Sequence, residues 1–226
     1  MARAWLSIDS AQTPDGVLEL RRRAADDFLM TIDGRVLMSS AARRSEETLG
    51  QLAAEATKRS PSPRVLIAGL GMGHTLRAAL DVLPENARVE VAEINPVVAR
   101  WSLEELAELN GSAAQDPRVS LEIADVAEVI RKSADRKSTK RFDAILLDLY
   151  VGPAASISAG DPFYGAEALR NTHSALRAGG VLGVWSESSS EDFERGLIHA
   201  GFEVECRRVG RGGRRHAVYV GRSPTG

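Results

Sequence analysis

The sequence predicts an α/β fold: a doubly wound, mostly parallel sheet of seven strands, preceded by a small N-terminal antiparallel β-domain. Three observations lead there. Beyond residue 64 short apolar runs alternate with amphipathic helical stretches, which is the rhythm of strand, crossover helix and parallel strand. The first of those runs, Val65-Leu66-Ile67-Ala68, passes at once into Gly69-Leu70-Gly71-Met72-Gly73. Before it, residues 1–40 hold closely spaced strand patterns with no helix between them.

The N-terminal strands are expected at residues 4–8, 17–20, 28–32 and 35–38, with Asp33-Gly34 as a two-residue hairpin turn, because both positions tolerate positive φ. Ser39 and Ser40 offer caps for a helix through Ser45, Leu49, Leu52 and Ala53 to about Lys58. Ser60-Pro61-Ser62-Pro63 then breaks the chain. The expected division is residues 1–59, a small sheet plus helix, and residues 60–226, the main domain.

The main domain opens on the strand at 65–68, the glycine turn, a helix from about His74, and a second strand at 89–93 that ends on Glu93. Glycines at alternate positions let the backbone approach a ligand, and the helix aims its N-terminus at it. An acid about twenty residues past such a turn is where a Rossmann-like βαβ unit holds a ribose diol. The dinucleotide fingerprint needs a small residue at position 74, and His74 stands there. The pattern Gly-x-Gly-x-Gly is the form usual in proteins that bind S-adenosylmethionine. Gly69, Gly71, Gly73 and Glu93, with Ile94 beside it, are therefore the expected donor-binding residues.

The alternation continues. Asn95-Pro96 starts a helix whose apolar face runs to Leu109 before Asn110-Gly111, and residues 117–123 form a third strand. Asp125 follows it, ahead of Val126. It either caps the helix over residues 126–133 or accepts from an adenine amine, and one carboxylate can do both. Residues 132–141 read as a solvated basic loop. Residues 142–148 form a fourth strand ending on Asp148, which lies where an acceptor must meet the sulfonium carbon and is the candidate general base. A helix over 162–177, a turn at Ala178-Gly179-Gly180, a strand at 181–185, a helix over 189–199, and strands at 202–209 and 216–221 complete the chain. Tyr150, grouped with Asp148 as catalytic, and Trp185 are expected to wall the acceptor pocket.

Composition limits the alternatives. The chain has 226 residues, 43% of them hydrophobic, which supports one α/β core plus a small appendage. A net charge of -2 argues against whole-surface nucleic-acid binding. The lone cysteine, Cys206, excludes an internal disulfide and fits a reducing compartment, so a cytoplasmic protein is expected. No apolar run reaches the length of a membrane span. His74, His173, His199 and His216 show no paired ligand spacing, and no metal is expected. Arg207, Arg208, Arg211, Arg214, Arg215 and Arg222 crowd the last two strands as a solvated hairpin, or else as a face for an anionic partner such as RNA. That second possibility keeps a non-catalytic nucleoside- or RNA-binding protein as an alternative.

Together the segments Leu66-Ile67-Ala68-Gly69-Leu70-Gly71-Met72-Gly73, Val91-Ala92-Glu93-Ile94-Asn95, Asp116-Pro117-Arg118-Val119, Ala124-Asp125, Phe142-Asp143-Ala144-Ile145-Leu146-Leu147-Asp148, Val151-Gly152-Pro153-Ala154 and Leu176-Arg177-Ala178-Gly179-Gly180 resemble the spermidine synthase family of S-adenosyl-dependent transferases. The resemblance implies the methyltransferase type of Rossmann-like sheet, Glu93 on the ribose, Asp125 with Val126 at the adenine, Asp148 facing the acceptor, and a homodimer. Aminopropyltransferases of that family carry an acid where this chain has Met72, and an Asp-x-x-Asp gate where only Asp148-Leu149-Tyr150 precedes Val151. The expectation is therefore methyl transfer from S-adenosylmethionine to a small-molecule acceptor, with aminopropyl transfer from decarboxylated S-adenosylmethionine as the alternative.

Overall fold

In the computed structural model, which describes residues 3–225 except 59, 136, 154–157, 159 and 211–214, two sheets are present. The first is an antiparallel meander of β1 (Leu6–Thr13), β2 (Gly16–Ala24), β3 (Asp27–Ile32) and β4 (Arg35–Ser39). Asp33 and Gly34 make the predicted turn, at φ 45° and 75°. Ser39 and Ser40 do not cap the next helix. The Ser40 hydroxyl instead accepts from Phe28 N and donates to Asp26 O, pinning the chain to the start of β3. The helix follows in two pieces, α1 (Arg44–Gln51) and α2 (Ala53–Thr57), with Arg43 at the N-cap position.

The second sheet has the strand order β10-β11-β9-β8-β5-β6-β7. Its strands are β5 (Arg64–Ala68), β6 (Arg88–Glu93), β7 (Val119–Ile123), β8 (Phe142–Leu147), β9 (Leu176–Ser186), β10 (Glu203–Val209) and β11 (His216–Arg222). The strands from β5 to β9 pair in parallel, whereas β11 runs antiparallel to both β9 and β10. This is the expected seven-stranded, mostly parallel sheet. The crossover helices are α3 (His74–Val82), α4 (Pro96–Leu103), α5 (Val126–Ala134), α6 (Ala166–Ala175) and α7 (Glu191–His199).

Several expected boundaries move for local reasons. Helix α4 stops at Leu103 rather than running to Leu109, and Leu106 N instead bonds back to Trp101 O across a wider turn. Lys132 pairs with Glu128 inside α5, which runs to Ala134, so the basic loop is shorter than expected. Helix α6 begins at Ala166 because Asp161 Oδ1 accepts from Phe163 N and Tyr164 N and holds residues 161–164 as a turn. The turn expected at 178–180 is absorbed into β9, whose pairing with β8 shifts register between Phe142 and Ala144.

The strand period of two sorts the core. Val65 and Ile67 of β5 face one apolar layer with α1, α2 and α3, while Leu66 and Ala68 face the other with α5, α6 and α7. Leu20, Phe28 and Met30 of the small sheet join the first layer. A polar tie reinforces that union, since Asp9 Oδ2 accepts from Trp101 Nε1 at 2.7 Å and also pairs with Arg100. The Asp116-Pro117-Arg118-Val119 segment is a structural clamp: Arg118 pairs with Asp116 at 2.8 Å and donates to Leu80 O and Leu83 O at the end of α3. The Arg118 guanidinium holds the Asp116 carboxyl down at about 2. Among the described residues no helix is long and apolar enough to cross a membrane.

Candidate functional site

A crevice of about 450 Å³ lies over the C-terminal ends of β5, β6, β7 and β8 and is roofed by apolar side chains of the small sheet, among them Leu18, Met30 and Met38. Parallel strands converge there, and the glycine turn forms its floor. Gly69, at φ 81°, sits so close to the end of β8 that a Cβ would lie 2.3 Å from Asp148 O. Gly73, at φ 82°, caps α3 and faces Asn110, where a Cβ would meet the side-chain amide at 2.9 Å. Gly69 and Gly71 line the crevice; Gly73 does not, and its glycine is required by packing.

Glu93 is 6% exposed and ties the floor together. One carboxylate oxygen accepts from Leu70 N at 2.9 Å and the other from Asn95 N at 2.8 Å. Burial pushes its carboxyl up, while those backbone donors pull it back. The Ile94 and Gly71 N–H groups add to that pull, and Glu93 lines the crevice floor. Ile94, exposed and apolar, stands beside it. Across β7, Asp125 Oδ1 accepts from Ala127 N at 2.8 Å, so the helix cap is present, and Asp125 and Val126 both line the crevice.

At the other end the crevice turns acidic. Asp148 Oδ2 accepts from the Thr75 hydroxyl at 2.6 Å. Burial and then the charge of Glu46 push its carboxyl up to about 7, against the pull of the Thr75 bond. Glu46, on α1, is itself raised by burial and is 6% exposed. Asp15 and Asp161 line the same crevice. Of the aromatics, Tyr150 is 55% exposed at the rim, whereas Trp185 lies inside and its indole N–H has no partner among the described residues. Tyr164 is the more enclosed tyrosine: its hydroxyl donates to Val151 O at 3.1 Å and burial pushes it well above the ordinary phenol range.

Met72, which occupies the acid's position in the glycine turn, is fully buried in the first apolar layer and does not line the crevice. Sequence reasoning also missed Glu46, Asp15, Asp161 and Tyr164. Glu46 was findable: with Leu49 and Ala53 it falls on the helical face that α1 and α2 bury, and a carboxylate in an apolar stripe is a signal. Asp15 and Asp161 lie in loops that no local pattern directs inward. Among the described residues no three His, Cys, Asp or Glu side chains converge as a metal-ligand set would. Of the hairpin arginines, Arg207 pairs with Glu205 and Arg222 with Glu55 and Glu205, while Arg211 and Arg214 lie outside the described residues.

The model of the spermine/spermidine synthase domain matches residues 43–209. The chain belongs to the spermine/spermidine synthase family. Within this family it is 37% identical over 125 residues to polyamine aminopropyltransferase 1 of Hyperthermus butylicus, covering 54% of this chain and 40% of that protein. It is 38% identical over 133 residues to spermine synthase of Arabidopsis thaliana, covering 56% of this chain and 33% of that one. The matched stretch thus spans well under half the length of either relative. Two solved structures resemble the whole chain. A spermidine synthase in complex with the transition-state analogue AdoDATO superposes with a TM-score of 0.75 at 19% identity, covering 97% of this chain and 74% of that one. Spermidine synthase from Thermotoga maritima gives 0.68 at 19% identity, with the same coverages. At such identities these two show the fold of the family member alone.

Proposed function

We propose that this family member transfers an aminopropyl group from decarboxylated S-adenosylmethionine to a small primary amine. The observation that carries the reading is the group of four carboxylates, Asp15, Glu46, Asp148 and Asp161, lining one crevice with Glu93 and the glycine turn. A primary ammonium entering a site walled by apolar side chains loses hydration, and only close carboxylates replace it. The family model and both curated relatives support the same chemistry.

The expectation of methyl transfer from S-adenosylmethionine gives way on two points. It rested on Met72 replacing an acid at the donor and on a shortage of carboxylates. Met72 is buried away from the crevice, and the carboxylates arrive from α1 and from two loops instead. In the proposed reading Glu93 holds the ribose, Ile94, Asp125 and Val126 surround the base, and Asp148 with Glu46 receives the proton of the acceptor ammonium. In-line displacement needs little covalent help, and alignment of the amine is worth about 7 to 11 kcal/mol at best. We further propose a homodimer formed through the small sheet, where Leu6, Ile8, Val17 and Val36 are exposed.

Chromatography of the nucleoside product tests the reaction. Incubation with decarboxylated S-adenosylmethionine and 1,4-diaminobutane is expected to release 5′-methylthioadenosine. Release of S-adenosylhomocysteine from S-adenosylmethionine, with no turnover of the decarboxylated donor, would return the protein to methyl transfer.

A further inference from the structure

Helix α1 begins its buried face with two polar residues, Ser45 at 3% and Glu46 at 6% exposure. Ser45 Oγ lies 2.7 Å from Glu46 Oε2 and 2.9 Å from Nδ1 of His216, the first residue of β11. The three side chains therefore form one chain of hydrogen bonds running from the acidic end of the crevice to a half-buried imidazole. Trp185, a crevice wall, packs edge-on against that ring at 5.1 Å. Thr75 Oγ1 braces the arrangement, touching both Glu46 O at 3.2 Å and Asp148 Oδ2 at 2.6 Å.

A polar cluster filling the gap between α1 and β11 would need only fixed hydrogen bonds. This one admits two patterns. The Ser45 hydroxyl has one proton and two partners that are both able to accept. When Glu46 is ionised, Ser45 donates to it and His216 must hold a proton on Nδ1. When Glu46 is protonated, it can donate to Ser45 and Ser45 to an unprotonated Nδ1. The two patterns differ by a proton moved through the serine. The charged groups facing Glu46 are Asp148 from the end of β8, His216 from β11 and, on α1 itself, Glu47, which pairs with Arg43 at 3.0 Å.

We infer that Glu46, Ser45 and His216 form a proton-exit relay for the amine transfer, with Ser45 and His216 as positioning residues that never touch the substrate. The inference rests on the aminopropyl-transfer reading, in which the acceptor enters as an ammonium and must lose one proton before its nitrogen can attack. The acceptor ammonium gives one proton to the Asp148–Glu46 pair. The freed nitrogen lone pair forms the new C–N bond, and the C–S bond breaks with its electrons going to sulfur, which leaves as a neutral thioether. The product nitrogen keeps the positive charge that the sulfonium lost, so the released proton is the one remaining to be exported. Glu46 passes it to Ser45 Oγ as Ser45 passes its own to His216 Nδ1, and the imidazolium sheds its Nε2 proton to solvent.

The full chain, labelled with ¹⁵N-histidine, is titrated by NMR as wild type, Ser45→Ala, Glu46→Gln and the double variant Ser45→Ala/Glu46→Gln. The same wild type and His216→Ala are assayed with decarboxylated S-adenosylmethionine and 1,4-diaminobutane, with and without imidazole buffer. The His216 midpoint is expected to fall in Glu46→Gln and to lose its dependence on Glu46 in Ser45→Ala. His216→Ala is expected to turn over about tenfold more slowly near neutral pH, with KM for the diamine held within about twofold, and to recover as imidazole is added. Wild-type turnover together with a His216 midpoint indifferent to Glu46, or a His216→Ala rate indifferent to imidazole, would overturn the relay alone. No product from the wild type would overturn the amine-transfer reading and the relay with it. If His216→Ala fails to fold, the Glu46→Gln titration still decides.

Discussion

Glu93 is both a fold residue and a candidate ligand residue, and the two roles can be separated by substitution. Removing the carboxylate with alanine would free Leu70 N and Asn95 N, so the loss would mix folding with binding. Glu93→Gln keeps the shape but turns an amide N–H toward one of those donors. It is expected to weaken the donor by about 1 to 3 kcal/mol by calorimetry. Asp148 yields a pH prediction. Its folded-state carboxyl titrates at about 7, above the ordinary carboxylate, so the folded protein binds a proton that the unfolded chain has already released. The resulting stability is present at low pH and is lost as pH rises from about 4 to about 7. Asp148→Asn is expected to match the wild type in urea near pH 4 and to exceed it by on the order of 2 to 4 kcal/mol at pH 8. Wild-type turnover should rise through pH 7 as the same carboxyl ionises, whereas Asp148→Asn should be slow throughout. A wild type whose urea midpoint does not fall behind the variant with rising pH would remove the assigned shift.

At the scale of elements, the glycine turn is shaped by its neighbours as much as by a ligand. Gly69→Ala is expected to cost about 2 to 5 kcal/mol in chemical denaturation, from left-handed strain plus the close approach to Asp148 O. A loss of donor affinity with unchanged stability would contradict that account. Met72→Asp, which looks like the restoration of a family acid, is expected to place an unpaired carboxylate in the first apolar layer. The thermal midpoint should drop, and no switch in donor preference should appear in competition binding, because the side chain points away from the crevice floor. Helix α1 shows the opposite case. Its apolar face was legible from Leu49 and Leu52, yet the same face delivers Glu46 to the crevice because α1 packs on α3 and reaches β9 and β11.

For the whole molecule, the small sheet is bound to the main one through a shared apolar layer and through Asp9, which meets Arg100 and Trp101. Val17 and Val36 are exposed on its other face, and Leu6 and Ile8 are exposed on its edge strand β1. An edge strand and an apolar face on one small sheet favour pairing with a second copy. Sedimentation of the full chain at micromolar concentration is expected to give a dimer, and charged replacements at Leu6 and Val36 are expected to give a monomer that still binds donor. A monomeric wild type would dismiss the homodimer.

Periodicity and turn chemistry determined the seven-stranded sheet, the antiparallel meander, the glycine turn and Glu93, because each rests on residues near one another in the chain. Strands alternate with period two, helices with 3.6, and Asp33-Gly34 or Gly69 to Gly73 declare their own backbone. The family was legible for the same reason, since its motifs are local segments. Of the four carboxylates at the acidic end of the crevice, only Asp148 was. Asp15, Glu46, Asp148 and Asp161 come from four separate parts of the chain, and Ser45 meets His216 across 171 positions. Only packing α1 against α3 and the sheet, and folding the small sheet over the strand ends, brings those charges into one cavity. Electrostatics acts through space and not along the sequence, which is why the charge of the site was decided by the tertiary structure.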